Sequence, residues 1–126
     1  MAILVIDDDE TCRVLVVAAL EQLGIEEVLV ADDGLRGLQC YDRMAVKPEA
    51  IICDIFMPNM DGIEILTALE TRGYQGGIVL VSGADLEMLQ MAQVIAGAGG
   101  MRFLGAVIKP VTSEALGPLL GRDVIL

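Results

Sequence analysis

The chain has 126 residues, of which 55% are hydrophobic, and it carries a formal net charge of −11 at pH 7. The apolar content excludes a disordered chain, and the length is typical of one domain with a substantial core. Because so negative a surface repels phosphate backbones, we expect no direct binding to nucleic acid. The longest unbroken apolar run, residues 14–20, is too short to cross a bilayer, and the first residues lack the basic segment of a secretion signal. We therefore predict one cytoplasmic domain, residues 1–126, that does not bind membranes.

The cysteine pattern argues against disulfides and against a zinc site. Cys12, Cys40 and Cys53 are odd in number and widely spaced, and the chain contains no histidine. We expect all three thiols to be reduced packing residues.

Strand and helix signals alternate along the whole chain. Apolar, β-prone runs predict five strands, and segments with helical spacing predict five helices. In chain order the predictions are strand 2–6, helix 10–23, strand 27–31, helix 33–44, strand 50–54, helix 61–73, strand 77–83, helix 85–98, strand 103–110 and an interrupted helix 112–121. This alternation favours a (βα)5 doubly wound α/β fold, with a five-stranded parallel sheet between two layers of helices.

Polar side chains stand where four of the predicted strands end. In chain order they are Asp7, Asp8, Asp9, Asp54, Ser82 and Lys109. The carboxyl ends of parallel strands meet at one edge of the sheet. Acids converging there repel one another, and Mg²⁺ relieves such repulsion, whereas a hydroxyl and an ammonium group suit the oxygens of a phosphoryl group. The pattern predicts a phosphorylatable aspartate, Asp54, beside a divalent metal.

Each of these residues also has an ordinary structural explanation. The aspartate run can cap the helix that follows it, since acids favour helix N-termini. Serine and the Lys-Pro dipeptide are common in turns, which would account for Ser82 and Lys109-Pro110, and Asp54 can begin a turn. The combination at one edge of the sheet, rather than any single member, favours chemistry.

Four segments, VIDDDETCRVL, CDIFMPNMDG, VLVSGA and VIKP, occur in this order on the predicted strands. Together they closely resemble the receiver domain of bacterial two-component response regulators, over essentially the whole chain. The resemblance implies the flavodoxin-like receiver fold. It also implies a partner, a sensor histidine kinase or phosphotransfer protein, whose phosphohistidine donates the phosphoryl group. Such a module is not an enzyme, apart from catalysing its own phosphorylation and dephosphorylation.

The same resemblance assigns the acids. It implies that Asp54 is the phosphoacceptor and that Mg²⁺ is the cofactor. Asp8, Asp54 and the backbone carbonyl of Phe56 would ligate the metal directly, and Asp7 would act through a bound water.

The resemblance also assigns a phosphoryl pocket. Ser82 would hydrogen-bond one phosphoryl oxygen, Lys109 would pair with another, and Gly83 would leave room for the incoming group. Phe56 and Ala84 line this pocket in the family. We expect the bulky Phe56 to exclude water and to slow hydrolysis of the acyl phosphate.

Two features depart from the usual receiver pattern. Ala106 stands three positions before Lys109, where most receivers have an aromatic residue that reorients on phosphorylation. We therefore expect signalling through helix and loop shifts. The long segment between Ser82 and Lys109 resembles receivers that precede EAL-type cyclic di-GMP phosphodiesterase domains. The chain is then either the N-terminal piece of a longer response regulator or a stand-alone receiver of related descent.

The predicted fourth helix is apolar around more than one face. Two explanations stay open: a wide core-facing surface, or a homodimer surface built from the fourth helix, the fifth strand and the fifth helix. The apolar first helix is equally open to sheet packing or kinase docking.

Two other functions compete with the phosphoaccepting receiver. A phosphatase with an aspartyl nucleophile needs an acid two residues after it, where this chain has Phe56. A degenerate receiver that acts as a constitutive interaction or dimerisation domain usually lacks a pocket residue, whereas all of them are present here. Only Ala106 keeps that alternative open.

Overall fold

The computed structural model describes residues 2–83, 90, 94, 97 and 100–124. Within these residues the strands are β1 (Ala2–Ile6), β2 (Glu27–Ala31), β3 (Ala50–Asp54), β4 (Gly77–Ser82) and β5 (Arg102–Ile108). The helices with described bounds are α1 (Glu10–Gln22), α2 (Gly34–Arg43), α3 (Gly62–Thr71) and the C-terminal helix (Ser113–Leu120). The apolar faces predicted for the fourth helix, residues 85–98, lie almost entirely outside the described residues.

The five strands form one parallel sheet in the order β2-β1-β3-β4-β5. β3 and β4 lie inside the sheet and are buried along their whole length. This matches their sequences, which are continuous apolar runs rather than alternating ones. The predicted α/β fold with a doubly wound parallel sheet is confirmed.

The core consists of two layers, one on each face of the sheet. Successive side chains of a strand point to opposite faces, so Leu4 and Ile6 pack with α2 and α3, while Ile3 and Val5 pack with α1 and the C-terminal helix. All four of these side chains are at most 1% exposed. Such packing on both faces fixes the register of β1 and therefore the place where its acidic extension begins.

Two element predictions need correction near the C-terminus. β5 ends at Ile108 rather than at residue 110, so Lys109 directly follows the strand, and its register against β4 shifts between Ile78 and Val79. The predicted interruption of the last helix is wrong, because the helix continues through Pro118. Gly117 precedes this proline and has no Cβ to meet its ring, which lowers the steric cost of a helical conformation there.

The four helices with described bounds have side-chain caps at their N-termini. Asp9, Asp33, Asp61 and Thr112 accept hydrogen bonds from the first turns of α1, α2, α3 and the C-terminal helix. In a parallel α/β fold these N-termini follow the carboxyl ends of the strands. The sheet edge that carries the acids therefore also carries the positive ends of the helix dipoles.

Candidate functional site

β3 and its following loop place Asp54 at the centre of the carboxyl edge. Asp54 is 2% exposed, and its Oδ1 accepts a hydrogen bond from the amide of Phe56 at 3.1 Å. The loop then returns so closely that the Gly62 amide bonds the Ile55 carbonyl at 2.7 Å. A Cβ on Gly62 would lie 2.8 Å from the Ile55 Cα, so only glycine permits this approach. The loop thereby fixes the carboxylate in one orientation.

The acids predicted to converge do so. One carboxylate oxygen from each of Asp7, Asp8 and Asp54 lies within 4.8 Å of the other two. Asp7 is buried and Asp8 is exposed, so the cluster reaches from the sheet edge to the surface. Asp9 is different, because its side chain caps α1 through the amide of Cys12 at 3.2 Å. Helix capping thus accounts for one member of the aspartate run and leaves the other two unexplained.

Lys109 enters this cluster from the end of β5. Its Nζ lies 2.8 Å from Asp54 Oδ2 and 3.9 Å from Asp7 Oδ2, and the lysine side chain is 28% exposed. Burial alone would lower the pKa of the Lys109 ammonium, but the hydrogen bond to Asp54 and the charges of both acids outweigh it and raise the pKa. The lysine is therefore a firmly charged counter-ion for two buried carboxylates.

Asp54 experiences opposing influences on its pKa. Burial raises the pKa of the Asp54 carboxyl, the hydrogen bond from Lys109 opposes that rise, and the charge of Asp7 adds to it. The lysine thus favours the carboxylate form, while the neighbouring acid disfavours it. An added cation at the cluster would relieve the remaining repulsion.

Ser82 contributes a buried hydroxyl group to the site. The residue is 2% exposed, and within the described residues its buried Oγ has no hydrogen-bond partner. A buried hydroxyl without a partner is costly and calls for an explanation. Beside it, a Cβ added to Gly83 would meet no described atom within 4 Å, so the described residues leave space on this side of the site. The hydroxyl and the open space form a place where an oxygen-rich group fits.

The thiols play no visible part in chemistry. All three are free, and Cys12 and Cys53 are buried. Burial, together with a hydrogen bond to Asp7, raises the pKa of the Cys12 thiol to about 12. Burial also raises the pKa of Cys53. The raised pKa disfavours the reactive thiolate form of both residues at neutral pH, which agrees with the predicted packing role.

Of three further predicted positions, the structure describes two. Phe56 follows Asp54 closely and is 46% exposed, so its ring stands at the surface of the site. Ala106 is half-buried on β5 opposite Leu80. Ala84 lies outside the described residues.

One contact was not anticipated from the sequence. Arg13, on the first turns of α1, donates from Nη1 to the backbone carbonyl of Asp7 at 2.9 Å. The only sequence signal for it was a single basic residue in a helix that begins directly after the acid run. Side-chain to backbone contacts of this kind leave no pattern in residue types.

The site thus unites a buried acid, a cation paired with it, an acidic cluster and a hydroxyl that has no partner among the described residues, all at one edge of a parallel sheet. A family model described as the response regulator receiver domain matches residues 3–118. The chain is a response regulator receiver domain.

Known relatives agree with this membership. The chain is 33% identical to a probable chemotaxis protein CheY of Rhizobium etli over 118 residues, which cover 90% of this chain and 84% of that protein. The solved structure of chemotaxis protein CheY4 of Vibrio cholerae superposes with a TM-score of 0.78 at 29% identity, covering 96% of this chain and 97% of the other. The cyclic di-GMP phosphodiesterase RocR of Pseudomonas aeruginosa is 28% identical over 95% of this chain, which spans only 30% of RocR.

Membership in the receiver family has two direct consequences. Receiver domains interact with kinases or phosphotransfer proteins, and the receiver family is not enzymatic in itself. Among the described helices, none has the length and apolarity needed to span a bilayer.

Proposed function

We propose that Asp54 accepts a phosphoryl group from a phosphohistidine of a sensor kinase or phosphotransfer protein. One carboxylate oxygen forms a bond to phosphorus as the bond from phosphorus to the histidine nitrogen breaks, and the histidine takes up a proton. The product is an acyl phosphate on Asp54. The observation that carries this proposal is a buried carboxylate held 2.8 Å from a lysine, beside a buried hydroxyl with no described partner.

The acid cluster fits Mg²⁺ as the cofactor. Three carboxylates within 4.8 Å supply the hard oxygen ligands that this ion prefers, and their mutual repulsion is relieved when it binds. We assign Asp8, Asp54 and the Phe56 carbonyl as its ligands, with Asp7 acting through water. When bound, the ion neutralises charge on the phosphoryl oxygens.

Lys109 and Ser82 complete the phosphoryl pocket. Phosphoryl transfer is promoted chiefly by positioning and by charge neutralisation. Lys109 can pair with one oxygen, and the Ser82 hydroxyl, which has no described partner, can donate to another. Gly83 leaves the necessary space, because no described residue comes within 4 Å of a Cβ placed there. The exposed ring of Phe56 would shield the acyl phosphate from water.

We also propose three finer points about output and assembly. The link to a cyclic di-GMP phosphodiesterase, and the chain's place as residues 1–126 of a longer response regulator, are supported by the likeness to RocR. A homodimer through the fourth helix, β5 and the C-terminal helix is supported by the exposed Ile108 on β5, whose side chain is 60% exposed. The intact pocket speaks against the degenerate-receiver alternative, and a cytoplasmic location stays a prediction.

The test is intact-mass spectrometry after incubation with acetyl phosphate, in which acetate replaces histidine as the leaving group. We expect one added phosphoryl group on the wild-type chain with Mg²⁺ and none after chelation. Asp54→Ala should stay unmodified because the acceptor oxygen is gone.

Asp42→Ala is the matched control, since it removes an exposed aspartate that pairs with Arg72 on the helical surface. It should be labelled like the wild type. Equal labelling of Asp54→Ala and wild type would contradict the proposal.

A further inference from the structure

We propose that Arg13 is a positioning residue for the metal-binding loop, holding the Asp7–Asp8 peptide so that Asp8 faces the acid cluster. The proposal rests on the function proposed above, because it concerns the same metal site. It adds a residue that is not among the phosphoryl-binding and metal-binding residues proposed above.

The hydrogen bonds around Asp7 carry the argument. Arg13 Nη1 donates to the Asp7 backbone carbonyl at 2.9 Å, and Asp7 Oδ1 accepts from the Asp9 amide at 2.9 Å. Asp8 lies between these two anchors. Its exposed carboxylate has neither a hydrogen bond nor an ion pair within the described part of the chain. The orientation of Asp8 is therefore set by its neighbours' bonds rather than by its own.

Arg13 bonds a neutral acceptor, which indicates that it positions the loop rather than neutralises the acids. Within the described residues, Arg13 makes no ion pair, although acids surround the loop, and its guanidinium bonds a neutral carbonyl instead. Arg36 behaves in the opposite way, since its Nη1 bonds the Asp32 carboxylate at 2.6 Å. A side chain whose role was to neutralise the acids would point at a carboxylate.

Arg13 lies beside apolar residues of α1 and β2. The residue is half-buried and lines a groove of about 430 Å³ with Val14 and Val17 of α1 and Val30 of β2. A partly buried side chain has less conformational freedom to lose than a fully exposed one when its guanidinium makes a fixed bond. The bond from Arg13 therefore connects α1, which begins at its Asp9 cap, to the loop that carries Asp7 and Asp8.

Loss of the Arg13 charge and loss of its positioning role should change the Mg²⁺ affinity in opposite directions. Removing a cation near an acid cluster should strengthen Mg²⁺ binding by its charge alone, whereas loss of positioning should weaken it. We would titrate ¹⁵N-labelled protein with MgCl₂ and follow the amide resonances of Asp8, Asp9 and Phe56. Arg13→Met keeps the length of the stem and removes the donor, and Arg36→Met removes the same charge elsewhere.

We expect Arg13→Met to weaken Mg²⁺ binding about tenfold, the size typical of lost outer-shell support for a metal ligand. Arg36→Met should change it by less than about twofold. Arg13→Lys should recover most of the affinity, because its ammonium can donate to the same carbonyl. If Arg13→Met did not fold, as judged by its amide spectrum, Arg13→Leu would replace it.

Mg²⁺ binding by Arg13→Met that is as tight as, or tighter than, that of the wild type overturns the proposal. A wild-type spectrum that Mg²⁺ does not perturb would instead contradict the proposed metal site itself. Asp8→Asn separates the two cases, since it should lose binding whenever the metal site is correct, whatever Arg13 does.

Discussion

The chain contains two lysines, each followed by proline, and the two dipeptides lie at opposite edges of the sheet. Lys47-Pro48 precedes β3, where the Lys47 ammonium lies 4.4 Å from the centre of the Tyr41 ring and donates to the Tyr41 carbonyl at 2.7 Å. Lys109-Pro110 follows β5, where the ammonium faces two buried carboxylates at 2.8 and 3.9 Å. One lysine packs against a neutral aromatic surface, and the other compensates charge.

The hydroxyl groups at the two edges differ in the same way. At the amino edge, the buried Tyr74 hydroxyl lies 3.0 Å from the Pro48 carbonyl and 3.2 Å from the Gly77 carbonyl. At the carboxyl edge, the Ser82 hydroxyl is buried with no partner among the described residues. Polar groups that are satisfied within the chain serve stability, whereas groups left unsatisfied are available to a ligand.

The two lysines provide the largest contrast. Lys109→Met should slow labelling of the chain by acetyl phosphate about a hundredfold, because it removes a fixed cation from the phosphoryl pocket. It should also lower the free energy of unfolding by about 2 kcal/mol, since two buried carboxylates lose their counter-charge. The checks are the labelling rate by intact mass and the midpoint of urea unfolding.

Lys47→Met is the matched control at the amino edge. The variant removes the same charge, but the contacts it loses are one cation–π contact and one hydrogen bond. We therefore expect the free energy of unfolding to fall by about 1 kcal/mol and the labelling rate to stay unchanged. Equal slowing by both variants would mean that net charge, rather than the pocket, controls the reaction.

Replacing Ser82 should have a smaller effect, which changes the labelling rate but not the free energy of unfolding. Ser82→Ala should slow labelling about tenfold, since one charge-assisted hydrogen bond to the phosphoryl group is lost. Its unfolding free energy should stay within about 0.5 kcal/mol of the wild type, because the hydroxyl has no described partner to lose. Ser113→Ala, in the first turn of the C-terminal helix, should change neither quantity. A large stability loss in Ser82→Ala would contradict the structural reading of this hydroxyl.

The tyrosine provides the converse case. Tyr74→Phe should lower the free energy of unfolding by about 1 kcal/mol, because the Pro48 and Gly77 carbonyls lose a buried donor. Labelling by acetyl phosphate should keep its wild-type rate. Slower labelling in this variant would show that the two edges are coupled, and the contrast between them would fail.

Much of this fold could be predicted because its signals are periodic and local. Continuous apolar runs mark the strands, and the acids at the carboxyl ends of β1 and β3 identify the functional edge, since parallel strands place these ends together. The same logic failed for the last helix, where Pro118 suggested an interruption. A preceding glycine and a short remaining turn allow the helix to continue, and propensity alone does not record that context.

The parts of the site that could not be predicted depend on hydrogen bonds between side chains and backbone. The sequence does not distinguish Asp9, which caps α1, from Asp8, which faces the cluster, because the residue types are identical. Arg13 was missed for a related reason, since the carbonyl that it bonds has no identity in the sequence. Lys-Pro occurs twice in the sequence, at residues 47–48 and 109–110, so the dipeptide alone does not identify the functional lysine. The role of Lys109 could be predicted only from its position directly after a strand.

The most direct test of the central claim is to locate the phosphoryl group on the chain. Borohydride reduces an aspartyl phosphate to homoserine, which tandem mass spectrometry identifies by position. After reaction with acetyl phosphate and Mg²⁺, we predict homoserine at position 54 and at no other aspartate. Homoserine at Asp7, Asp8 or a surface aspartate, or none under conditions that modify an established receiver, would contradict the account.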